Sequence, residues 1–461
     1  MIAQAFRGWT AVDPATGKEV AAYELMTDSE VGVIIAQARA AQESWRWKNI
    51  EFRARRLVQL GRVLRDRVDE WAELMALEMG KPVRQGRDEV EKCARLADYY
   101  AENGATFLAP EMVETEAARS YVMFRPLGLV LGIMPWNFPF WQVVRFAAPA
   151  LLAGNGGLLK HAPNVPGCAA ALEELFLEAG FPQNLFRSLR VDTDQVGEVI
   201  DHPAVSAVTL TGSARAGRAV AARAGAALKK TLLELGGSDP YLILDDADVE
   251  AAAELGATSR LINSGQSCIA AKRFLVTESL REAFETLLTK RFSSAVVGDP
   301  RAENTEVGPL ARHDLRDALH EQVSQSLEAG ARCLVGGQPL EGPGAFYAPT
   351  VLTDVRPGMP AFDEELFGPV AAVVPVADEG EAIEFANRST FGLGAAVFTA
   401  DSERGERIAA ELLEAGACFV NDFVRSDPRL PFGGVKQSGY GRELGSFGIR
   451  EFVNVKTVVV S

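Results

Sequence analysis

Short apolar runs alternate with helical segments through the middle of the chain, and this rhythm constrains the fold more than any other feature. In order, it consists of GLVLGIMP, a helix over residues 141–153, GGLLKHAP, a helix over 166–179, AVSAVTLTGS and a helix over 214–230. Alternation of this kind predicts a parallel sheet covered by helices on both faces. We expect a binding crevice where the strand ends meet the helix N-termini.

The same rhythm restarts after LLELGGSDPYLIL, which predicts a second α/β unit. Earlier in the chain, SEVGVIIAQARAAQESWR and EFRARRLVQLGRVLRDRVDEWAELMALEMG place apolar residues at the spacings of amphipathic helices, and the second helix should end at Gly80. The C-terminal EFVNVKTVVVS is typical of a strand with alternating faces. Its exposed edge needs a partner, and another subunit would provide one.

Composition and charge exclude several classes of protein. With 62 acidic and 47 basic residues the net charge is −15, which argues against a nucleic-acid-binding surface. The N-terminus lacks the pattern of a secretory signal, and the most apolar region, 129–153, contains prolines and an arginine that a membrane-spanning helix would accommodate poorly. Five scattered cysteines without a CxxC pair indicate reduced thiols, so we expect a cytoplasmic protein. None of the four histidines lies in a metal-ligand pattern, so no metal is expected.

Three residues in separate segments have the character of catalytic groups. Cys268, in NSGQSCIAAKR, has small neighbours that leave room for a substrate carbonyl, and a helix starting there would stabilise its thiolate. Asn137, in MPWNFPFWQ, is a rigidly held amide of the kind that stabilises an oxyanion. Glu234 ends an apolar strand before a Gly-Gly turn, where a raised pKa would suit a general base. Taken singly, each residue also fits a structural role.

Two further segments suit a ligand that carries phosphate. In AVTLTGSARAGRA a strand turns through Gly212 and Ser213 into a helix whose free N–H groups can bind a phosphate or pyrophosphate. This turn is neither a GxGxxG fingerprint nor a P-loop. Lys160 follows a buried strand, from which it can reach a ribose hydroxyl or an extra phosphate. Turns without a ligand and solvated lysines produce the same patterns.

Six ordered motifs together resemble the NAD(P)-dependent aldehyde dehydrogenase superfamily over nearly the whole chain. They are PWNFP, LTGS, LELGG, GQSC, EELFGPV and PFGGVKQSGYGRE. The resemblance implies that Cys268 attacks the aldehyde carbonyl while the Asn137 amide and the Cys268 backbone N–H hold the oxyanion. Hydride transfer to the nicotinamide leaves a thioester, which water activated by Glu234 hydrolyses to the acid.

The resemblance also implies the fold and the assembly. We expect an α/β protein of three parts that forms a homodimer or homotetramer. The parts are a Rossmann-like cofactor-binding domain (1–107 and 128–235), an α/β catalytic domain (236–440) and a small β oligomerisation element (108–127 and 441–461).

The cofactor positions implied by the resemblance lie in several of these motifs. They are Trp136, Asn137, Lys160, Pro163, Gly212, Ser213, Leu235, Glu365 and Phe367. Many NAD-selective members have a glutamate where this chain has Pro163. Without that negative charge a 2′-phosphate is not repelled, so the resemblance implies that NADP is accepted and that NAD is not excluded.

Within the superfamily, KHAPN, LELGGSDP and RAGRAVAARAGAALKK most resemble short bacterial succinate-semialdehyde dehydrogenases. The distal carboxylate of that substrate needs a cation. Arg145 matches a carboxylate-binding arginine of this group, and Ser426 matches a serine that assists it. A second arginine of better-known members is replaced by Ile262, and a second cysteine that closes a disulfide switch in some relatives is replaced by Ala270. Three other arginines are candidates to compensate for the missing one: Arg260, Arg425 and Arg429.

Three alternatives remain open from the sequence. One is a dehydrogenase of broad specificity for other small or aromatic aldehydes, with Trp136, Phe138 and Trp141 lining an apolar tunnel. Another is an acylating, CoA-dependent dehydrogenase, in which a base for water such as Glu234 would be superfluous. The third is a crystallin-like structural protein on the same fold, which the joint presence of the catalytic residue types argues against.

Overall fold

The computed structural model describes residues 7–461. Residues 1–6, with which the predicted cofactor-binding domain begins, lie outside the described part. The helices are α1 (Asp28–Trp45), α2 (Ile50–Asp66), α3 (Val68–Met79), α4 (Val83–Phe107), α5 (Trp141–Leu152), α6 (Pro166–Glu178), α7 (Thr193–Asp201), α8 (Ala214–Ala226), α9 (Val249–Leu261), α10 (Glu278–Ser293), α11 (His313–Glu328), α12 (Pro360–Asp363), α13 (Glu379–Asn387), α14 (Ser402–Arg407) and α15 (Gly445–Arg450). The strands are β1 (Gly8–Asp13), β2 (Lys18–Glu24), β3 (Glu111–Val113), β4 (Arg119–Pro126), β5 (Leu129–Ile133), β6 (Gly156–Lys160), β7 (Phe186–Ser188), β8 (Val205–Thr211), β9 (Lys230–Glu234), β10 (Asp239–Ile243), β11 (Ala271–Thr277), β12 (Arg332–Val335), β13 (Thr350–Thr353), β14 (Val370–Val376), β15 (Phe391–Gly392), β16 (Gly394–Phe398), β17 (Ala417–Val420), β18 (Val435–Lys436), β19 (Gly439–Tyr440) and β20 (Val453–Val460).

The long amphipathic segment near the N-terminus forms two helices, α2 and α3, where the sequence predicted one. The break lies at Arg67, whose φ of −119° departs from helical backbone. Each half buries its own apolar stripe, because α2 packs on α4 and α5 whereas α3 packs on α4 and β1. The predicted stop is confirmed, since Gly80 follows α3 in the left-handed conformation with φ of 77°.

A six-stranded sheet contains the first predicted α/β unit, with strand order β19-β9-β8-β5-β6-β7. All neighbouring pairs are parallel except β19 with β9, which confirms the predicted parallel arrangement. In the register, Ile133 at the end of β5 faces both Lys160 of β6 and Leu210 of β8. The segments that follow these three strands therefore emerge at one edge, where a crevice is expected in a sheet of this topology.

A seven-stranded sheet contains the second unit, with strand order β12-β13-β14-β11-β10-β16-β17. Only its edge pair, β12 with β13, is antiparallel. The chain passes from the first sheet to the second between Glu234, the last residue of β9, and Asp239, the first residue of β10. The Gly-Gly turn after Glu234 therefore joins the two sheets.

A three-stranded antiparallel sheet is formed by β3, β4 and β20. Its register pairs Val453 with Pro126 and Val460 with Arg119, so the C-terminal strand lies along the whole of β4. Val455 and Val459 on β20 are 61% and 57% exposed. This sheet joins the two segments assigned to the oligomerisation element, whose exact limits remain a prediction, as do those of the other two domains.

The most apolar stretch of the sequence, 129–153, forms β5, a loop and α5. Every residue of α5 is buried within the protein. Across residues 7–461, no helix combines the length and the apolar character that crossing a membrane would require.

Candidate active site

Cys268 lies in an irregular turn between the end of α9 and the start of β11. Three consecutive residues of this turn, Asn263, Ser264 and Gly265, adopt left-handed backbone with φ of 57°, 55° and 73°. The chain then enters β11 at Ala271. The prediction that a helix begins at Cys268 and stabilises its thiolate is therefore wrong, because the residues after it lead directly into a buried strand.

A buried arginine holds this turn in place. Arg260 Nη2 donates to the backbone oxygens of Gly265 and Leu366, each at 2.9 Å, and to that of Gly368. A Cβ on Gly265 would lie 2.1 Å from the Gly368 oxygen, so a side chain does not fit there. Since Arg260 is fully buried and bonded to these carbonyls, it is not the compensating substrate cation that the sequence offered as a candidate.

The charge environment of Cys268 is set by burial and by two cations. Burial raises the pKa of the thiol to about 12, while Lys272 and then Arg145 oppose that rise. Lys272 Nζ donates to the backbone oxygens of Ser267 at 3.0 Å and Cys268 at 2.7 Å. It also lies 3.6 Å from Glu365 Oε1. Lys272 was missed by sequence reasoning, although its place four residues after the cysteine was a usable signal.

Asn137 packs against the same turn. Its Nδ2 donates to the backbone oxygen of Gln266 at 3.1 Å, and its own backbone oxygen accepts a hydrogen bond from Asn263 Nδ2 at 2.7 Å. One N–H of the amide is used in this way, so the second is available to an oxyanion. Asn137 is 4% exposed and lines a cavity together with Cys268.

Glu234 is a buried carboxylate at the end of β9. It is 2% exposed, and neither of its carboxylate oxygens has a hydrogen-bond partner among the described residues. Burial raises its pKa to about 8; Arg145 opposes the rise and Glu443 adds to it. The raised pKa predicted from the apolar strand is thus confirmed, and a carboxylate of this kind can take a proton from water near neutral pH.

Arg145 lies among buried carboxylates, and this differs from its predicted role. Its Nε is 2.5 Å from Glu443 Oε2, and its Nη2 donates to Thr211 Oγ1 at 3.3 Å. Arg145 is 2% exposed and lines neither of the two cavities beside the Cys268 turn. Direct contact with a substrate carboxylate would require the ion pair to open. The structure places Arg145 as a buried counter-ion for Glu443 near Glu234, and its role in substrate binding stays a prediction.

The first cavity beside the turn has a volume of about 230 Å³. It brings together seven of the predicted cofactor positions with Cys268: Trp136, Asn137, Gly212, Ser213, Leu235, Glu365 and Phe367. Ser213 caps α8 by accepting a hydrogen bond from Ala216 N at 3.3 Å. Gly212 and Ser213 both line the cavity, so the start of this helix lies beside it, and pyrophosphate binding there stays a prediction.

Packing around the Gly-Gly turn supports a bound dinucleotide. A Cβ on Gly236 would lie 2.3 Å from Glu365 Oε2, so this carboxylate lies directly over the turn. Glu365 Oε1 accepts a hydrogen bond from Gly237 N at 3.1 Å. These contacts place a carboxylate, which can accept hydrogen bonds from hydroxyl groups, in the same cavity as Cys268, and the residues present therefore fit a nicotinamide dinucleotide.

Lys160 and Pro163 lie outside the lining of the first cavity. Lys160 is the last residue of β6, and burial lowers the pKa of its ammonium group. Pro163 is exposed shortly after it, at the same edge of the sheet. Lys160 ends the strand next to β5 and Pro163 follows it by three residues, so a ligand that extends from the first cavity across the strand ends would reach them.

A second cavity of about 260 Å³ lies on the other side of the turn, lined by Ser267 and Ile269. Ile262 and Phe138 also face it, together with Lys92 of α4. Ser426, a predicted substrate residue, does not line this cavity. It lines an adjoining outer depression of about 450 Å³, which Lys92 shares.

Lys92 was missed by sequence reasoning. A signal was available, because Lys92 follows the buried Glu89 by three residues on α4 and therefore shares its inward face. The remaining two candidate arginines both carry an ion pair: Arg425 with Asp422 at 2.6 Å, and Arg429 with Asp427 at 2.6 Å.

Comparison with known proteins gives concordant results. A family model described as the aldehyde dehydrogenase family matches residues 3–458. Succinate semialdehyde dehydrogenase [NAD(P)+] Sad of Escherichia coli K12 is 48% identical over 97% of both chains. A probable succinate-semialdehyde dehydrogenase [NADP(+)] of Synechocystis is 47% identical over 98% of this chain and 99% of its own. Among solved structures, succinic semialdehyde dehydrogenase from Streptococcus pyogenes in complex with NADP+ superimposes with a TM-score of 0.96 at 38% identity, covering 98% of this chain and 99% of its own.

Proposed function

Because the chain belongs to the aldehyde dehydrogenase family, we propose that it oxidises succinate semialdehyde to succinate with NADP⁺ or NAD⁺ as the hydride acceptor. One observation carries the proposal. Cys268 and Asn137 line a single cavity together with most of the predicted cofactor positions, and the buried base Glu234 lies on the strand that leads into it. The relatives that share this chain over almost its full length are named for that substrate.

The reaction begins with addition of the Cys268 sulfur to the aldehyde carbon. Lys272 and Arg145 are the cations that favour the thiolate against the effect of burial. The new C–S bond turns the carbonyl oxygen into an oxyanion, which accepts hydrogen bonds from the Asn137 amide and the Cys268 backbone N–H. Asn137 is preorganised for this task, because its hydrogen bonds to the nucleophile turn fix the amide before substrate arrives.

A nicotinamide bound in this cavity would accept the hydride, which would leave a thioester on Cys268. Glu234 then takes a proton from water, the resulting hydroxide adds to the thioester carbon, and the C–S bond breaks to release the acid and the thiolate. The unpartnered oxygens of Glu234 support hydrolysis over transfer to a thiol cofactor, since a buried base would have no task in the latter route.

The cofactor choice follows from the residues at the adenosine end. Lys160 offers a cation and Pro163 offers no negative charge, so the site accepts a 2′-phosphate. Glu365 would hold the ribose next to the nicotinamide, and Ser213 with the start of α8 would receive the pyrophosphate.

The proposal extends to assembly and location. The exposed valines of β20 and the short edge strand β3 are apolar surface that a second subunit would cover, which supports a homodimer or homotetramer. The five cysteines are unpaired, in keeping with a cytoplasmic protein.

The test is a steady-state comparison of succinate semialdehyde, pentanal and benzaldehyde with each cofactor. We expect succinate semialdehyde to have the highest kcat/KM, and equal values for the three aldehydes would overturn the substrate assignment. Cys268→Ala should abolish turnover, with Cys333→Ala at an exposed position as the matched control. Retained turnover in Cys268→Ala would rule out the thioester route.

A further inference from the structure

One wall of the second cavity is apolar and offers no cation to the carboxylate of a substrate. Ile262 lines it where better-known relatives have an arginine, and Phe138, Ile269 and Val424 add apolar surface. The cavity touches the nucleophile turn through Ser267 and Ile269, the neighbours of Cys268 on either side. A substrate whose aldehyde carbon reaches Cys268 from this side would therefore leave its other end in the second cavity.

Two of the four cations that line the second cavity are already neutralised. Lys81 forms a buried ion pair with Glu89, and Arg425 pairs with Asp422. Arg145, deeper in the protein, pairs with Glu443. An incoming carboxylate would have to displace an internal partner from any of these groups, which costs much of the energy gained.

Within residues 7–461 no carboxylate forms an ion pair with the other two, Arg95 and Lys92, and of these Arg95 is exposed whereas Lys92 is partly buried. Its Nζ donates to Ser426 Oγ at 2.6 Å and lies 4.3 Å from the centre of the Trp141 ring. The Lys92 side chain is partly buried, and burial together with the charge of Arg145 lowers the pKa of its ammonium group to about 8. A partly desolvated cation without a counter-ion is stabilised by any anion that reaches it.

The hydroxyl beside Lys92 completes a site for a carboxylate. Ser426 accepts its hydrogen bond from Lys92, so its own O–H proton remains free to donate. The ammonium group has further N–H donors and lines both the second cavity and the outer depression. Arg95, exposed on the next turn of α4, adds positive charge at the mouth, and the exposed Asp88 adds negative charge.

Resting on the proposed function, we propose that Lys92, together with Ser426, binds the distal carboxylate of the substrate and supplies the positive charge that is missing at Ile262. The charge comes from α4, and the two partners are 334 residues apart in sequence. Lys92 is a substrate-binding residue in this arrangement, and Arg145 acts on the buried carboxylates behind it.

The experiment measures one ratio, the kcat/KM for succinate semialdehyde divided by that for pentanal, which has a methyl group near the position of the carboxylate. Lys92→Met removes the charge and keeps the length of the side chain. We expect the ratio to fall roughly 10- to 100-fold, as for loss of a hydrogen bond between charged groups, and mainly through KM. Lys92→Arg should restore much of the ratio, and inhibition by succinate should weaken in Lys92→Met.

Arg429→Met is the matched control, since Arg429 lines the outer depression but is already paired with Asp427. An unchanged ratio in Lys92→Met, or equal losses for both aldehydes, would overturn the assignment of Lys92. If the ratio falls strongly in Arg145→Met but is unchanged in Lys92→Met, the carboxylate is bound by Arg145 instead of Lys92. If the unmodified enzyme shows no preference for succinate semialdehyde, the proposed substrate is wrong. This outcome is distinguishable from those of the variants, because it is measured on the enzyme without substitutions.

Discussion

Hydrolysis of the thioester should depend on pH through Glu234. The acting form is the carboxylate, and burial raises its pKa to about 8, so this form is lost as the pH falls through that value. For a single group with this pKa, roughly one tenth is ionised at pH 7 and roughly nine tenths at pH 9, so the hydrolysis rate should rise roughly tenfold between them. Below pH 7 the rate should fall about tenfold for each pH unit.

The assay separates hydrolysis from the earlier steps. On rapid mixing with saturating succinate semialdehyde and NADP⁺, NADPH should appear as a burst of one equivalent followed by a linear phase set by hydrolysis. Acid quenching and intact-mass measurement report how much enzyme carries the thioester. Glu234→Gln should keep the burst and lose most of the linear phase, while the thioester accumulates.

Two neighbouring charges provide a directional check. Glu443 raises the pKa of Glu234 and Arg145 lowers it, so Glu443→Gln should move the midpoint of the linear phase to lower pH and Arg145→Met should move it to higher pH. Because these groups titrate together, the midpoint belongs to the cluster. A hydrolysis rate that is flat from pH 6 to pH 9, or shifts of the same sign in the two variants, would refute the assignment of Glu234 as the base.

Two further predictions concern the nucleophile turn and the cofactor site. Gly265→Ala should destabilise the protein by about 2–5 kcal/mol, because alanine disfavours the left-handed backbone and its Cβ would clash with a carbonyl oxygen. As a control, Gly32→Ala, which has open space in α1, should stabilise the protein by about 0.5–1 kcal/mol. Thermal unfolding of both variants tests this, and equal midpoints would contradict the clash. Pro163→Glu should lower kcat/KM for NADP⁺ roughly tenfold more than for NAD⁺, because the new carboxylate repels the 2′-phosphate. Pro163→Gln is the uncharged control. Equal losses for the two cofactors would show that Pro163 does not face the phosphate.

The parts of the site that depend on local sequence were predictable. Glu234 ends an apolar strand, and this alone indicated a buried carboxylate with a raised pKa. Gly212 and Ser213 follow β8 and precede α8, so their place at a strand-to-helix turn followed from the alternation of apolar and helical segments. The helix stop at Gly80 followed from the chain geometry that glycine permits.

The turn at Cys268 was predicted only in part. The small residues around it correctly indicated an irregular segment. The segment does not lead into a helix, as expected, but into strand β11. The left-handed backbone of Asn263 and Ser264 is held by hydrogen bonds with the side chain of Gln85 and the backbone N–H of Gly308, which lie far away in sequence. The conformational preferences of the residues around Cys268 do not predict these long-range hydrogen bonds.

Charge pairing is where sequence and structure diverge most. The sequence predicted Arg145 as a cation for the substrate and offered Arg260 as a candidate to replace a missing arginine. In the structure, Arg145 forms an ion pair with Glu443, and Arg260 donates hydrogen bonds to backbone carbonyls. Among residues 7–461, Lys92 is a partly buried cation without a carboxylate partner, and its place beside Ser426 arises only when α4 packs near the loop that follows β17.

The sequence by itself determined the order of strands and helices, the identity of the nucleophile, amide and base, and the family, because these reside in local patterns and ordered motifs. The tertiary structure decided which charged groups neutralise one another and which remain free to meet a ligand. The reason is physical: the free energy of a buried charge depends on the groups within a few ångströms of it, and those groups come from segments that only the folded chain brings together.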